Sequence, residues 1–169
     1  MKKIILIVSI LAVACVALYF LYKPVHSESE KQTITTIENV NELPFMALQM
    51  RDGTRLQAKD LTGKIVLVLY QPDCDHCQRE AQAIQANLDA FASYTLYFIT
   101  TDSFDAIDTF ANTYQLKGFD NVRFGQTQSE YIYNNFGSIS APSVYIYDDG
   151  KLLSKFNGET PIEKILKAL

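Results

Sequence analysis

Residues 65–77 of the chain join a short apolar run to two cysteines that are separated by two residues. The run, residues 65–70, has the length and the β-branched content of a buried strand. Apolar side chains then recur at helical spacing, which predicts an amphipathic helix over residues 77–91. Cys74 and Cys77 therefore stand where a buried strand turns into the N-terminus of a helix, which is typical of a thiol–disulfide redox site.

This position favours the thiolate form of Cys74. Free N–H groups and the helix dipole stabilise an anion in the first turn of a helix. A protonated His76 would add to this effect, whereas Asp73 and Asp75 oppose it. The sequence therefore predicts that Cys74 is the nucleophile. Because the neighbouring charges act in opposite directions, they leave open how strongly its thiolate is stabilised.

The spacing of three residues between positions 74, 77 and 80 places them on one face of the predicted helix. Cys74 would attack a substrate disulfide, and Cys77 would then resolve the mixed disulfide. Glu80 is a candidate to take or return the Cys77 proton, provided that apolar surroundings desolvate it. The alternative is a solvated surface Glu80, as most helices carry.

Structural explanations for the cysteine pair fit less well. A disulfide across so short a loop would remove little entropy from the unfolded chain. A structural zinc ion needs about four ligands. Besides the pair, the chain offers only Cys15, His26 and His76 as further Cys or His ligands. We therefore expect a catalytic redox pair, with no metal and no other cofactor.

Three stretches of the sequence, residues 61–64, 74–80 and 140–151, occur in an order that carries a family resemblance. They resemble the thioredoxin-like redoxins of the TlpA/ResA type over roughly residues 42–169. The resemblance implies an α/β, thioredoxin-like fold with a central mixed β-sheet flanked by helices. It also implies that Pro142 is a cis-proline facing the cysteines and that Ala141 offers its backbone to the substrate. We assign both to substrate binding, together with His76.

The chain departs from the family pattern at several positions. Asp73 replaces the usual Trp before the first cysteine, and Val68 stands where thioredoxin has a buried Asp, which leaves Glu80 as the candidate proton acceptor. His76 is shared with strongly oxidising DsbA-type proteins, but one residue does not fix the direction of electron flow. By the resemblance, Phe136 and Ile139 should form an exposed apolar rim near Cys74.

The N-terminus predicts export. Lys2 and Lys3 precede a nearly unbroken apolar stretch, residues 4–22, whose helical length of about 28 Å would span a bilayer core. The positive charges favour a cytoplasmic start, which sends the remainder across the membrane. Two alternatives use the same stretch: a cleavage site like that of a signal peptide at residues 12–14, and a lipoprotein signal ending at Cys15.

The domain organisation follows from this export signal. Residues 1–23 are expected to be a membrane anchor or signal sequence, 24–41 a polar tether with a possible added edge strand at 33–37, and 42–169 the redox domain. We expect a single-pass protein of the cell membrane with its domain on the extracytoplasmic, periplasmic side. The net charge of −4 and pI of about 5.1 disfavour nucleic acid as a partner.

The expected function is exchange of electrons with exported proteins that carry thiols or disulfides. The resemblance implies a membrane thiol carrier as the electron partner. A peroxiredoxin-type peroxidase is a second hypothesis, although Gln71 stands where such enzymes have Thr or Ser. A non-catalytic binding module is the third.

Hydrophobic periodicity and turn signals predict the remaining elements of the domain. The elements are a hairpin of residues 45–50 and 55–56, strands at 94–100 and 122–124, helices at 103–114 and 129–136, a hairpin of 144–147 and 152–156, and a last helix opened by Pro161. Tyr131, Tyr133, Tyr145 and Tyr147 could line a groove, but packing is the favoured interpretation.

Overall fold

The structure, a computed structural model, describes residues 41–169. The predicted anchor, most of the tether and the proposed edge strand at 33–37 lie outside the described residues. Within residues 41–169, no helix is both long enough and apolar enough to cross a bilayer.

A mixed β-sheet forms the centre of the described domain. Its strands are β1 (Ala47–Met50), β2 (Arg55–Gln57), β3 (Lys64–Leu69), β4 (Thr95–Thr100), β5 (Val122–Gln126), β6 (Ser143–Asp148) and β7 (Lys151–Asn157). The order across the sheet is β2-β1-β5-β4-β3-β6-β7. Three parallel strands, β3, β4 and β5, lie at its middle, and the other pairings are antiparallel.

The α-helices of the described residues are α1 (Asp75–Gln85), α2 (Phe104–Thr113), α3 (Ser129–Phe136) and α4 (Ile162–Leu166). Ser103 caps α2 as predicted, because its hydroxyl accepts the Ala106 N–H at 3.3 Å. Gly137 follows α3 with a φ of 71°, a backbone conformation that glycine adopts without strain.

The predicted helix over residues 77–91 is wrong at its C-terminal end. The α-helix stops at Gln85, and Leu88–Phe91 forms a separate 3₁₀ helix. Asn87 separates the two, since its side-chain amide donates to the Ala83 carbonyl at 2.8 Å. Such a local side-chain bond competes with continuation of the helix.

Alternate residues of β3 build the two cores of the domain, because successive side chains of a strand point to opposite faces. Val66 and Val68 pack with Cys77, Ala81 and Ile84 of α1. The odd-numbered residues of β3 pack on the other face, against the segment before β1 and against α3. Helices therefore cover both faces of the sheet, as expected for a buried parallel strand.

A tight turn joins β6 to β7, as the sequence predicted. Asp149 has a φ of 44° and Gly150 a φ of 82°. Positive φ at both central residues is the signature of a type I′ hairpin turn. The turn orients β7 so that the loop after it, residues 158–161, returns to α1.

Candidate active site

The cysteines lie at the strand-to-helix junction that the sequence predicts. Strand β3 ends at Leu69, and Cys74 is the N-cap residue of α1. Cys74 is half-buried, whereas Cys77 is only 2% exposed. Both are present as free thiols. The pair thus has one accessible sulfur and one sulfur enclosed behind it.

The loop before β6 lies against the accessible thiol. The Ala141–Pro142 peptide bond is cis, as the family resemblance implied. The Cys74 thiol donates to the Ala141 carbonyl, with 3.7 Å between sulfur and oxygen. The Gly158 N–H donates to the Pro142 carbonyl at 2.8 Å and holds this loop to the end of β7. Backbone polar groups of the loop are therefore next to the sulfur that would react.

The thiol of Cys77 is buried in the core beneath Cys74. Its sulfur accepts the Gln71 backbone N–H at 3.4 Å. The pKa of Cys77 is raised to about 12, chiefly by burial. The neighbouring Cys74 and Glu80 contribute to this rise, and the Gln71 hydrogen bond opposes it. This thiol therefore stays protonated at neutral pH unless a base takes its proton.

Glu80 is a buried carboxyl group one helical turn beyond Cys77. It is 2% exposed, so the surface alternative for Glu80 is wrong. One oxygen, Oε2, accepts the Thr160 N–H at 3.0 Å, and the other has no partner among residues 41–169. The pKa of Glu80 is raised to about 7, chiefly by burial. The Thr160 hydrogen bond opposes this rise, and the negative Glu159 contributes to it.

An exposed cluster of charged side chains, His76, Arg79 and Glu159, lies beside Glu80. Glu159 accepts from Arg79 at 2.8 and 2.6 Å, and His76 Nδ1 lies 2.6 Å from the same carboxylate. Arg79 and His76 together hold the pKa of Glu159 down at about 2. Sequence analysis found His76 but missed Arg79 and Glu159. The spacing of 76 and 79 marks one helix face, but nothing in the sequence links it to residue 159.

A shallow cavity of about 340 Å³ opens beside the loop that contains the cis-proline. Ala141, Ile139 and the exposed Tyr133 line it, together with residues that follow β3. Phe136 is half-buried instead, with its ring centroid 4.5 Å from that of Tyr145. The predicted rim is therefore wrong for Phe136, while the partly buried Ile139 lies in the cavity wall.

Tyr145, Tyr147 and a second, larger cleft lie away from the cysteines. Tyr145 and Tyr147 are buried, which confirms packing as their role. A cleft of about 860 Å³ adjoins β1 and the start of α3, and neither cysteine lines it. No group of three or more metal-ligating side chains in residues 41–169 is placed to hold an ion.

The sequence of the chain is similar to that of a known protein family. Residues 40–154, more than half of the chain, match the model of the AhpC/TSA family. No curated protein sequence matches the chain.

Solved structures share its architecture. A secreted Mycobacterium tuberculosis disulfide oxidoreductase homologous to Escherichia coli DsbE has a TM-score of 0.61 at 18% identity, covering 73% of this chain and 93% of that one. StoA from Bacillus subtilis has a TM-score of 0.57 at 14% identity, covering 72% and 93%. A peroxiredoxin-like protein from Aquifex aeolicus has a TM-score of 0.62 at 12% identity, covering 75% and 82%. At these identities the likeness establishes the fold, and the thioredoxin-like α/β fold is confirmed.

Proposed function

The chain belongs to the AhpC/TSA family, and on that premise we propose that it is a thiol–disulfide oxidoreductase acting through Cys74 and Cys77. One observation carries the proposal. The half-exposed Cys74 thiol lies 3.7 Å from the carbonyl of Ala141, and Cys77 is enclosed directly behind it. This is an arrangement for one sulfur that meets a substrate and one that meets only the first sulfur.

The reaction proceeds by two exchanges. The Cys74 thiolate attacks one sulfur of a substrate disulfide, an S–S bond forms to Cys74, and the other substrate sulfur leaves and takes a proton. Cys77 then attacks the Cys74 sulfur while Glu80 accepts the Cys77 proton. The substrate leaves with both thiols, and its two electrons have come from the protein, which now holds a Cys74–Cys77 disulfide. The reverse sequence oxidises a substrate dithiol.

The substrate is an extended polypeptide that pairs with the backbone at Ala141. The carbonyl of that residue already accepts a bond from the Cys74 thiol, so a backbone N–H of the substrate can replace it when the thiol reacts. The cavity walled by Ile139 and Tyr133 gives the substrate side chains an apolar surface beside it. His76, which is exposed between the cysteines, is the third residue that we assign to substrate contact.

The proposed setting is the extracytoplasmic face of the cell membrane, with the N-terminal apolar stretch as a single-pass anchor. Exported proteins with thiols or disulfides are the proposed substrates, and a membrane thiol carrier is the proposed electron partner. The sequence of residues 1–23 supports this setting, because charged residues precede a stretch long enough to span a bilayer.

Trapping tests the proposal directly. The Cys77→Ser variant should accumulate a mixed disulfide with a model disulfide peptide through Cys74, since the resolving thiol is gone. Cys74→Ser should form none. If both variants behave alike, the assignment of roles is wrong. Titration of the wild-type Cys74–Cys77 couple against glutathione then gives the direction of electron flow. A reduction potential below about −230 mV indicates a reductant, and a potential above about −180 mV indicates an oxidant or isomerase.

A peroxidase is the second candidate, favoured by the family match and by the likeness to a structure described as peroxiredoxin-like. Gln71, which is exposed, lacks the hydroxyl that would position a peroxide three residues before Cys74. Hydrogen peroxide consumption by the reduced protein distinguishes the two. Rapid consumption would favour the peroxidase, and a chain that forms no reversible disulfide would be a binding module.

A further inference from the structure

Two neighbouring contacts join helix α1 to the loop between β7 and α4. In the buried contact, the Thr160 N–H donates to Glu80 Oε2 at 3.0 Å. In the exposed contact, Nε and Nη2 of Arg79 donate to the carboxylate of Glu159, at 2.8 and 2.6 Å. Residues 79 and 80 are consecutive, and so are residues 159 and 160. The ion pair therefore fixes the loop one residue away from the bond to the buried carboxyl.

The buried contact matters because Glu80 has so few partners. The Thr160 N–H is its only hydrogen-bond donor within residues 41–169, and Oε1 has none. A hydrogen bond to the ionised form stabilises that form. A small displacement of the loop would remove it, since a donor beyond about 3.5 Å no longer bonds.

The exposed contact has the geometry that such positioning requires. A bidentate arginine–carboxylate pair restricts orientation as well as distance. An exposed pair of this kind adds little to global stability. Its effect is therefore expected at the adjacent Thr160 amide rather than in the unfolding of the whole domain.

We propose that Arg79 and Glu159 form a positioning pair that holds the Thr160 N–H on the carboxylate of Glu80. The pair thereby sets the protonation of the group that accepts the Cys77 proton, and in this respect the inference rests on the proposed function. Neither residue contacts a reacting sulfur in this role.

The charged groups around Glu80 allow the proposal to be separated from a plain charge effect. Cys77 lies on the same helix, as do His76 and Arg79, which both contact Glu159 of the loop. Helix α4, which follows that loop, carries the exposed Glu163 and Lys164. The negative Glu159 raises the pKa of Glu80. Removing that charge alone would lower the pKa, whereas losing the Thr160 hydrogen bond would raise it.

The experiment compares Glu159→Ala with Arg79→Ala in the whole reduced chain. Carbon-13 NMR follows the side-chain carboxyl of Glu80 through a pH titration, and proton–nitrogen NMR follows the Thr160 amide. If the pair acts by position, both variants raise the pKa of Glu80, by about half a pH unit or more. The Thr160 amide also stops titrating together with Glu80.

If the pair acts only through charge, the two variants shift the pKa of Glu80 in opposite directions and the Thr160 amide keeps its titration. That result, or no shift, overturns the proposal. The double variant with Arg79→Glu and Glu159→Arg should restore the wild-type titration, and Glu163→Gln should leave it unchanged. The NMR readout needs no catalytic turnover, so a failure of the proposed function would be seen separately, in the trapping experiment.

Discussion

Replacing Glu80 by glutamine should change how stability depends on pH. The folded protein holds the pKa of this carboxyl near 7, against an ordinary value of 4.5, mainly because the group is buried. Glutamine keeps the shape and can still accept the Thr160 N–H, but it never ionises. The comparison of wild type with Glu80→Gln therefore isolates the cost of a buried negative charge.

The sign of this pH dependence follows from how many protons the folded and unfolded states bind. Between about pH 4.5 and 7 the folded wild type keeps a proton on Glu80 that the unfolded chain has lost. The contribution of Glu80 to the free energy of unfolding therefore falls as pH rises through this window, and it levels off above about pH 7. A pKa difference of one corresponds to about 1.4 kcal/mol, so the rise from 4.5 to about 7 amounts to about 3 kcal/mol. Glu80→Gln should lack this loss.

Urea unfolding of the reduced chain at a series of pH values from 4 to about 8.5 measures the effect. The variant should gain about 3 kcal/mol over wild type between the two ends of the range. Glu163→Gln, which removes an exposed carboxylate of α4, should run parallel to wild type. A constant difference between Glu80→Gln and wild type across the whole range would refute the reasoning.

Three further predictions concern the loop before β6, the packing of β5 and the two thiols. Ser143→Ala removes a fully buried hydroxyl that donates to a backbone carbonyl at 2.7 Å, and should lower the free energy of unfolding by about 1–2 kcal/mol in urea; an unchanged midpoint would contradict it. Gly125→Ala places a methyl group 2.9 Å from the sulfur of Met50, 3.1 Å from Ile99 Cδ1 and 3.3 Å from the Gln49 carbonyl oxygen. It should lower the free energy of unfolding by about 1–3 kcal/mol by the same measurement, and a variant as stable as wild type would contradict this. Iodoacetamide at pH 7.5 should modify Cys74 at least about tenfold faster than Cys77, because the second thiol is buried and has a raised pKa. Peptide mass spectrometry measures both rates, and equal rates would contradict the assigned order of attack.

The sequence predicted the elements whose signals are local. Strand β3, the start of α1 and the turn at Asp149 follow from apolar periodicity and from residues that favour positive φ. The end of α1 was missed because Leu88 and Phe91 continue the helical spacing, whereas the break comes from a side-chain bond of Asn87. Periodicity reports which face is apolar, and it does not report where a polar side chain interrupts the backbone.

The features of the candidate site also fall into those that local sequence signals predict and those that they do not. The spacing of Cys74, Cys77 and Glu80 placed them correctly on one helix face, since three-residue steps are a local property. The cis bond before Pro142 came only from the family resemblance, because X-Pro bonds are cis in only about one case in twenty. The bond from Thr160 was not predictable, since it joins residues that lie 80 positions apart.

The position of Glu80 explains how the proposed proton transfer from Cys77 can take place above β3, a strand of apolar residues. Val68 lies in the same core cluster as Cys77, so the strand beneath the second thiol supplies no proton acceptor. In the proposed mechanism Glu80 supplies it from helix α1 instead. The Thr160 N–H binds one oxygen of this carboxyl group, and the other oxygen has no hydrogen-bond partner within residues 41–169.

The two pKa values further constrain the order of events in the proposed resolving step. The pKa of Cys77, about 12, lies well above that of Glu80, about 7, so moving the proton from the resting thiol to the carboxylate is unfavourable. A free Cys77 thiolate would therefore be too rare to serve as a resting nucleophile. The transfer becomes favourable only as the leaving substrate sulfur takes the negative charge. In the proposed mechanism proton transfer therefore accompanies attack on the mixed disulfide, with Glu80 as the general base. An acid whose pKa lies near the working pH suits that role, because it is available as a base and can later return the proton.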